Sequence, residues 1–335
     1  MRIDLSAMRQ RTETEGCSPA AVCLRELLEH TVERSAADGI LLSGGLDTSV
    51  LSAIAARQQR KLRAVCVSVA SATNPDESFA KMMAQRCGFA LRIIRPSLTE
   101  LVAIMPTIMR VLGGFDPMEL RNSAVVWIAL LAAKEEGIAA VLTGDAADEL
   151  FAGYSYIISM PPEQVRPYLN FLNRIMRFSS QLMGASLSVE THLPYLDPAV
   201  RQFALTLSRD DLIAARDSRQ FGKKVLRDAF VDLLPQEIAW RVKTPIEYGS
   251  GSHALQEFVT DSVSDEEFEA GRSRIVEEDG VSLRDKEQFF YYRMYRTISP
   301  PPQEQTGGAK RCTACGGAVE RADQKYCRVC GAYPC

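Results

Sequence analysis

The sequence has no apolar run long enough to cross a bilayer. Its longest, Ala124 to Ala133, ends in Lys134-Glu135-Glu136, well short of the roughly 20 residues that a spanning helix needs. Met1 to Glu15 is charged and lacks a hydrophobic stretch, so no export signal is expected and a cytoplasmic protein is the default reading. Charge of one sign is not in excess. A net charge of −3 and a pI near 5.8 argue against a chain built mainly to coat nucleic acid. No internal repeat is apparent. Cysteine is sparse over most of the chain: Cys17, Cys23, Cys66 and Cys87 are scattered, whereas the other five of the nine fall within the last 24 residues. The scattered ones are expected to be buried small apolar residues. What is present is length for two domains, 335 residues, with 46% hydrophobic content to supply a core.

The stretch around which the rest is organised runs from Gly39 to Leu51. Ile40 to Leu42 reads as a short buried strand, Gly44 and Gly45 permit a tight turn, and Val50, Leu51 and Ile54 show helical spacing. Backbone amides at the start of that helix, with Ser43, Thr48 and Ser49 beside them, make a seat for a phosphate group. A Walker loop would need a lysine that is missing here. Asp47 adds a condition, because a carboxylate beside a polyanion is repelled unless a divalent cation lies between them. Magnesium is therefore expected.

Along the chain, residues 17–37 read as an amphipathic helix feeding the first strand. Leu62 to Val69 reads as a second strand, Pro75 to about Cys87 as a helix capped by Asn74, and Ala90 to Ile94 as a third strand. A helix from about Ser97 is expected to be kinked or interrupted at Pro106. Arg121 to Glu136 follows as an apolar helix and Ile138 to Thr143 as a fourth strand. Strands alternating with helices imply an α/β fold with a doubly wound parallel sheet, which binds ligands beyond the carboxyl ends of its strands. From Glu149 to Tyr295 helical stretches dominate, so a mainly helical second half is expected. Ser299 to Lys310, with three consecutive prolines, reads as a linker with little to bury. The expected division is therefore 1–298 for the main domain, 299–310 for the linker and 311–335 for a small terminal module.

Thr143-Gly144-Asp145-Ala146-Ala147-Asp148-Glu149 stands directly after a strand, as the first loop does. Three clustered acids repel one another unless a cation or a cationic substrate neutralises them, which points to metal or amine binding. Helix capping by Asp145 and Asp148 is the other reading. At the far end, Cys312-x2-Cys315 and Cys327-x2-Cys330 have the spacing of a four-thiolate zinc ribbon. So short a segment cannot build a core, and the metal would supply the folding energy. Four thiolates leave no open position, so that zinc would be structural, and Cys335 is left over. Lys310, Arg311, Arg321, Lys325 and Arg328 outnumber Glu320 and Asp323 there. The module could hold RNA, an acidic carrier protein or a partner supplying ammonia, or could dock on the main domain.

Ser43 to Ser49 resembles the pyrophosphate loop of the ATP pyrophosphatases. With Val67 to Asp76, Arg121-Asn122-Ser123, Leu142 to Tyr154, Val189 to Asp197, Lys223 to Arg227 and Leu234 to Lys243, the chain resembles the synthetase domain of glutamine-hydrolysing asparagine synthetases and of β-lactam synthetase. The resemblance covers about residues 20 to 295. It implies an adenine nucleotide α-hydrolase-like fold and an ATP-dependent ligase that forms AMP. Asp47 and Asp148 match the magnesium ligands. Ser43, Gly44, Gly45, Thr48 and Ser49 match the pyrophosphate cradle, with Leu42 opening the same loop, while Val67 and Gly144 match the adenine and ribose positions. Lys243 matches the lysine that neutralises pyrophosphate, and Lys223 matches a second phosphate-binding lysine in a register that neighbouring Lys224 leaves open by one. Glu190 matches a carboxylate of the acceptor pocket, and Asp145 stands where asparagine synthetases carry glutamate. Either acid is a candidate base for the attacking amine.

The expected substrates are thus ATP, a carboxylic acid that aspartate would satisfy, and ammonia or another amine. His192 occupies a position where arginine is usual, which puts aspartate in question. Only about 40 residues precede the first loop, so no glutaminase domain is expected within this sequence, and a separate glutaminase is a candidate partner. The alternative function is an RNA-modifying ATP pyrophosphatase that docks nucleic acid through the ribbon. No membrane partner is expected.

Overall fold

The computed structural model describes residues 18–70 and 74–335. The expectations for Met1 to Glu15, for Cys17 and for the middle of Val67 to Asp76 lie outside the described residues. The chain divides into two compact units. The first holds residues up to Cys66, Pro75–Ile94 and Ala129–Pro245, and the second Val67–Asn74, Arg95–Ile128 and Ile246–Cys335.

The first unit opens with α1 (Pro19–Arg34), whose start is fixed by Ser18 accepting the Ala21 amide and by a proline at the first helical position. Leu24, Leu28 and Val32 recur four residues apart and are fully buried. Then come β1 (Gly39–Leu41), α2 (Leu46–Arg57), β2 (Arg63–Val67), α3 (Pro75–Cys87) and β3 (Ala90–Ile94). After α4 (Leu98–Leu112) and α5 (Pro117–Glu135), the chain returns through β4 (Ala140–Leu142) and later adds β5 (Glu190–His192). The strand order is β3-β2-β1-β4-β5, with β1 parallel to β2 and β4, and β4 parallel to β5. The chain winds outward from β1 on one side, then crosses over and winds outward from β4 on the other. The connections onward from β1 and β4 therefore run to opposite sides, and the crevice at the carboxyl ends of these two neighbouring strands is where such sheets take ligands. Asp38 fixes the register of these two strands from the opposite end, its Oδ1 accepting the Ala139 and Ala140 amides at 3.1 and 3.0 Å.

Two elements of this unit escape periodicity. β5 is only three residues long, and a hairpin pairs Ala214–Arg216 with Arg219–Phe221 inside the stretch read as helical. Segments so short do not complete a pattern of alternation. Cys23 and Cys66 are buried as expected, and burial pushes the half-buried Cys87 thiol up to about 11.

In the second unit, α4 is capped by a reciprocal Ser97–Glu100 box and ended by Gly113 in the left-handed region. Pro106 does not interrupt it: the helix is continuous across that position. Leu101, Met105, Ile108 and Met109 form a fully buried stripe along it, and packing of such a face outweighs the roughly 3 kcal/mol that proline costs a helix interior. Asn74, expected to cap α3, instead donates to Ser68 Oγ and the Val69 carbonyl. Helices Ala254–Asp261, Asp265–Asp279 and Lys286–Arg296 complete the helical layer. Buried Arg121 binds Glu247 at 2.9 Å and Glu287 at 2.5 Å there. The stretch read as a linker also differs from expectation, since Pro301 and Pro302 are buried and Gln305 donates to the Gly113 carbonyl. No single helix among the described residues is long and apolar enough to cross a membrane.

Candidate active site

The loop after β1 is shaped by what has no room in it. Gly44 has φ +72°, and a Cβ there would lie 2.4 Å from the Ala80 nitrogen, so no other residue fits. Ser43 Oγ accepts the Gly45 amide at 3.2 Å and lies 3.2 Å from Thr48 Oγ1. No side chain caps α2 at Gly45, which leaves its first-turn amides open to an anion. Ser49 Oγ is buried without a hydrogen-bond partner. Tyr195, fully buried, donates to the Asp47 carbonyl at 3.0 Å and braces the loop from behind.

The loop after β4 touches the first one. A Cβ on Gly144 would come within 3.0 Å of Asp47 Cβ and Thr48 Cγ2. Ala146 and Ala152 hold φ of +76° and +56°, a strain that non-glycine residues accept only when their surroundings impose it. Between them, the single turn α6 (Ala147–Leu150) carries Asp148 and Glu149. Gly153 then packs so closely that a Cβ would lie 1.9 Å from Asp148 Oδ1.

Two lysines from distant segments complete the arrangement. Lys223 Nζ lies 2.6 and 2.7 Å from the Asp47 carboxylate oxygens and 2.7 Å from Asp148 Oδ1. Lys243 Nζ lies 2.7 Å from Asp148 Oδ2. The result is a neutral square of two acids and two lysines, with the Lys223 side chain 3% exposed. Lys224 turns away to pair with Asp228 at 2.9 Å, so the structure brings Lys223 and not its neighbour to the acids. Burial opposes ionisation of Asp148, but Lys223 and Lys243 outweigh it and hold the carboxyl well below the usual range. Burial would likewise lower Lys243, and Asp148 and Asp47 outweigh it to raise that ammonium above the ordinary lysine range.

Sequence reasoning missed the arginines that hold the two lysine segments. Arg227, buried, donates to the carbonyls of Gly222, Ala239 and Arg241 and so ties the strand before Lys223 to the turn before Lys243. Burial lowers its guanidinium to about 10. Arg241 donates to the Gly44 carbonyl at 3.1 Å, pairs with Asp76 and lies over the Phe79 ring. Their positions inside stretches matched by resemblance were the available signal.

The remaining expected residues fall in three places. Asp145 is at the rim, accepting Thr143 Oγ1 at 2.9 Å and Ser180 Oγ at 2.5 Å, and burial raises its carboxyl above the ordinary range despite both bonds. Leu42 is buried at the end of β1, and Val67 is buried at the end of β2. Glu190 is not part of the cluster. It pairs in register with Ala140 at the start of β4 and is exposed, with His192 Nε2 3.2 Å from its Oε1. His192 lies two residues on, beside Leu142, and lines a cavity of about 460 Å³ with Arg34, Gln181 and Asp197.

In the second unit the four tail cysteines converge. Cys312 and Cys330 sulfurs are 3.8 Å apart, as are Cys315 and Cys327, and all four lie within 4.8 Å of one another and are buried. A tetrahedron of thiolates about 2.3 Å from a metal has edges of about 3.8 Å, whereas a disulfide needs about 2.05 Å. The cluster could hold a metal ion. It is docked rather than free: Phe115 donates its amide to Val329 at 2.6 Å, Gln288 its side-chain amide to Cys330 at 2.7 Å, and Tyr326 its hydroxyl to buried Asp116. Gly114 has no space for a side chain against the Arg328 and Val329 carbonyls. Of the basic residues noted in the module, Lys310 binds the Cys335 carbonyl, Arg311 the Gln305 carbonyl and Arg321 the Asp323 carboxylate.

Comparison with known proteins gives this geometry a context. The asparagine synthase family profile matches residues 23–173 and 163–312. Asparagine synthetase B (glutamine-hydrolyzing) of Escherichia coli K12 is 28% identical over 329 residues, covering 90% of this chain and 57% of that protein. Probable asparagine synthetases of Dictyostelium discoideum and Schizosaccharomyces pombe are each 27% identical, covering 78% and 83% of this chain and 52% and 56% of theirs. The chain spans about half the length of the curated relatives it matches. The solved NMN synthetase of Francisella tularensis aligns at 14% identity with a TM-score of 0.36, over 91% of this chain and 99% of that one, a likeness that bears no weight. The sheet order and the family match fit an adenine nucleotide α-hydrolase-like fold with a mainly helical second half. Two profile matches together span far more than half of the sequence, and the chain belongs to the asparagine synthase family.

Proposed function

We propose that this protein is an AMP-forming amide ligase, which activates a carboxylic acid with ATP and passes it to ammonia or another amine. The observation that carries this reading is the convergence of Asp47 and Asp148, from the two loops at the sheet's switch point, on one buried lysine. Two carboxylates facing each other offer the hard oxygen donors that magnesium takes. Held by Asp47 and Asp148, the ion would supply charge neutralisation for the triphosphate.

This chain's own residues account for the rest. The α2 amides with Ser43, Thr48 and Ser49 seat the β and γ phosphates, so the α phosphorus faces the carboxylate. One carboxylate oxygen attacks that phosphorus, the bond to the bridging oxygen breaks, and pyrophosphate leaves with Lys243 and Lys223 absorbing its charge. The amine then attacks the activated carbonyl and AMP departs. Asp145 takes the amine's proton, and burial raises its carboxyl above the ordinary range, which makes it a stronger base than an exposed aspartate. Aspartate is the first acid to try. Zinc is the metal proposed for the four thiolates, where it would be structural. The ammonia source is proposed to be free ammonia or a separate glutaminase, and a cytoplasmic setting suits both thiolates and ATP.

The reading is tested by screening carboxylic acids, with ammonia and glutamine compared as donors, for release of pyrophosphate from magnesium and ATP. AMP and pyrophosphate in equal amounts with an amide product are expected. ADP and phosphate would reject it.

A further inference from the structure

We propose that Lys223 and a divalent cation compete for the same two carboxylates, so that the metal seat fills only together with a polyphosphate. This rests on the reading of Asp47 and Asp148 as metal ligands. The Lys223 ammonium touches both carboxylates, at 2.6 and 2.7 Å for Asp47 and 2.7 Å for Asp148. A magnesium ion bridging those acids needs their oxygens at about 2.0–2.1 Å, in the space the ammonium occupies. The two cations cannot share it. Moved aside without a new partner, the ammonium would be a buried positive charge next to a second one.

The lysine's backbone is not free to withdraw. Its amide donates to the Phe151 carbonyl at 2.8 Å, its φ is +60°, and the preceding Gly222 lies so close to the Ala152 carbonyl that a Cβ would sit 1.9 Å away. Only the flexible stem can carry the charge elsewhere. Lys243, which contacts Asp148 Oδ2, leaves Asp47 to Lys223. A polyphosphate supplies both missing parts: oxygens that complete the metal's coordination and an anion for the displaced ammonium. Metal and nucleotide then bind with positive coupling, and the coupling is reciprocal.

Manganese binding to the zinc-loaded full chain, followed by the electron paramagnetic resonance signal of the free ion, reads this without turnover. Wild type is expected to bind Mn²⁺ at least tenfold more tightly with α,β-methylene-ATP present than without it. Lys223→Met and Lys223→Gln are expected to bind free Mn²⁺ at least tenfold more tightly than wild type, and adding Asp148→Asn should abolish that gain. Circular dichroism establishes that each variant is folded, and the wild-type arm needs no variant. Equal Mn²⁺ affinity with and without the nucleotide analogue, or no gain in the folded Lys223 variants, overturns the proposal. Failure of Mn²⁺ to bind any of these chains, even with the analogue, instead overturns the assignment of Asp47 and Asp148 as ligands, and the competition with it.

Discussion

The thiols of the ribbon come from one short segment, Cys312 to Cys330, whereas the charged groups at the sheet rim come from Asp47, Asp148, Lys223 and Lys243, far apart along the chain. Both clusters bury groups that water would otherwise stabilise, and they are held by opposite means. In the ribbon the turns are local and the surrounding core is small, so the metal proposed there would supply the energy that holds like charges together. At the rim opposite charges already balance, and the sheet, with glycines where a Cβ has no room, brings them together. One cluster should therefore fail when an ion is removed, the other when a single side chain is changed.

The largest effect expected is on the ribbon. Zinc sites of this kind are worth on the order of 10 kcal/mol to a small folding unit. Chelation should release about one metal per chain, make the four thiols reactive, and open the segment after Gly308 to proteases. Thiol titration with limited digestion measures it. Unchanged thiol reactivity after the metal is stripped would make the ribbon self-supporting and erase the contrast.

At the rim, Lys243→Ala should lower pyrophosphate release about 10²- to 10³-fold, the usual loss when a preorganised charge is removed from a reacting phosphate. Gly153→Ala comes next. The added methyl would fall 1.9 Å from Asp148 Oδ1 and 2.5 Å from Lys223 Cε, forcing the square apart and destabilising the unit by about 1–3 kcal/mol. Urea unfolding checks it, and an unperturbed variant would mean that the loop yields where the account has it rigid.

The smallest effect is a displacement of the pH profile. Burial raises the Asp145 carboxyl above its ordinary range. As the proposed base it would work deprotonated, so turnover should be full above that raised pKa and fall as pH drops through it. The acid limb of kcat/KM then lies at higher pH than an exposed aspartate would give, and Asp145→Asn should remove the limb. A limb that survives in Asp145→Asn would assign the base elsewhere.

Legibility in the sequence followed the same division. Ribbon ligands were readable from spacing because the turns that set it are local. The alternation of strands and helices gave the parallel sheet, and the loops after β1 and β4 were readable because each follows directly on its strand. That Lys223 stands between Asp47 and Asp148 was not readable. Nothing within the few residues around Lys223 distinguishes it from Lys224, and only the left-handed turn at Lys223 decides which one faces the acids. The Arg227 and Arg241 carbonyl contacts were hidden for the same reason, since their partners are set by the packing of three segments. Pro106 shows the reverse case, where a strong local signal yields to a buried apolar face.

The central claim is that a carboxylate attacks the α phosphorus of ATP at this rim. It is tested most directly by supplying a turned-over carboxylic acid labelled with ¹⁸O in both carboxyl oxygens and weighing the AMP produced. One labelled oxygen in the AMP phosphate is the expected result. Unlabelled AMP, with the heavy oxygen that the amide no longer carries appearing in phosphate, pyrophosphate or water instead, would contradict it.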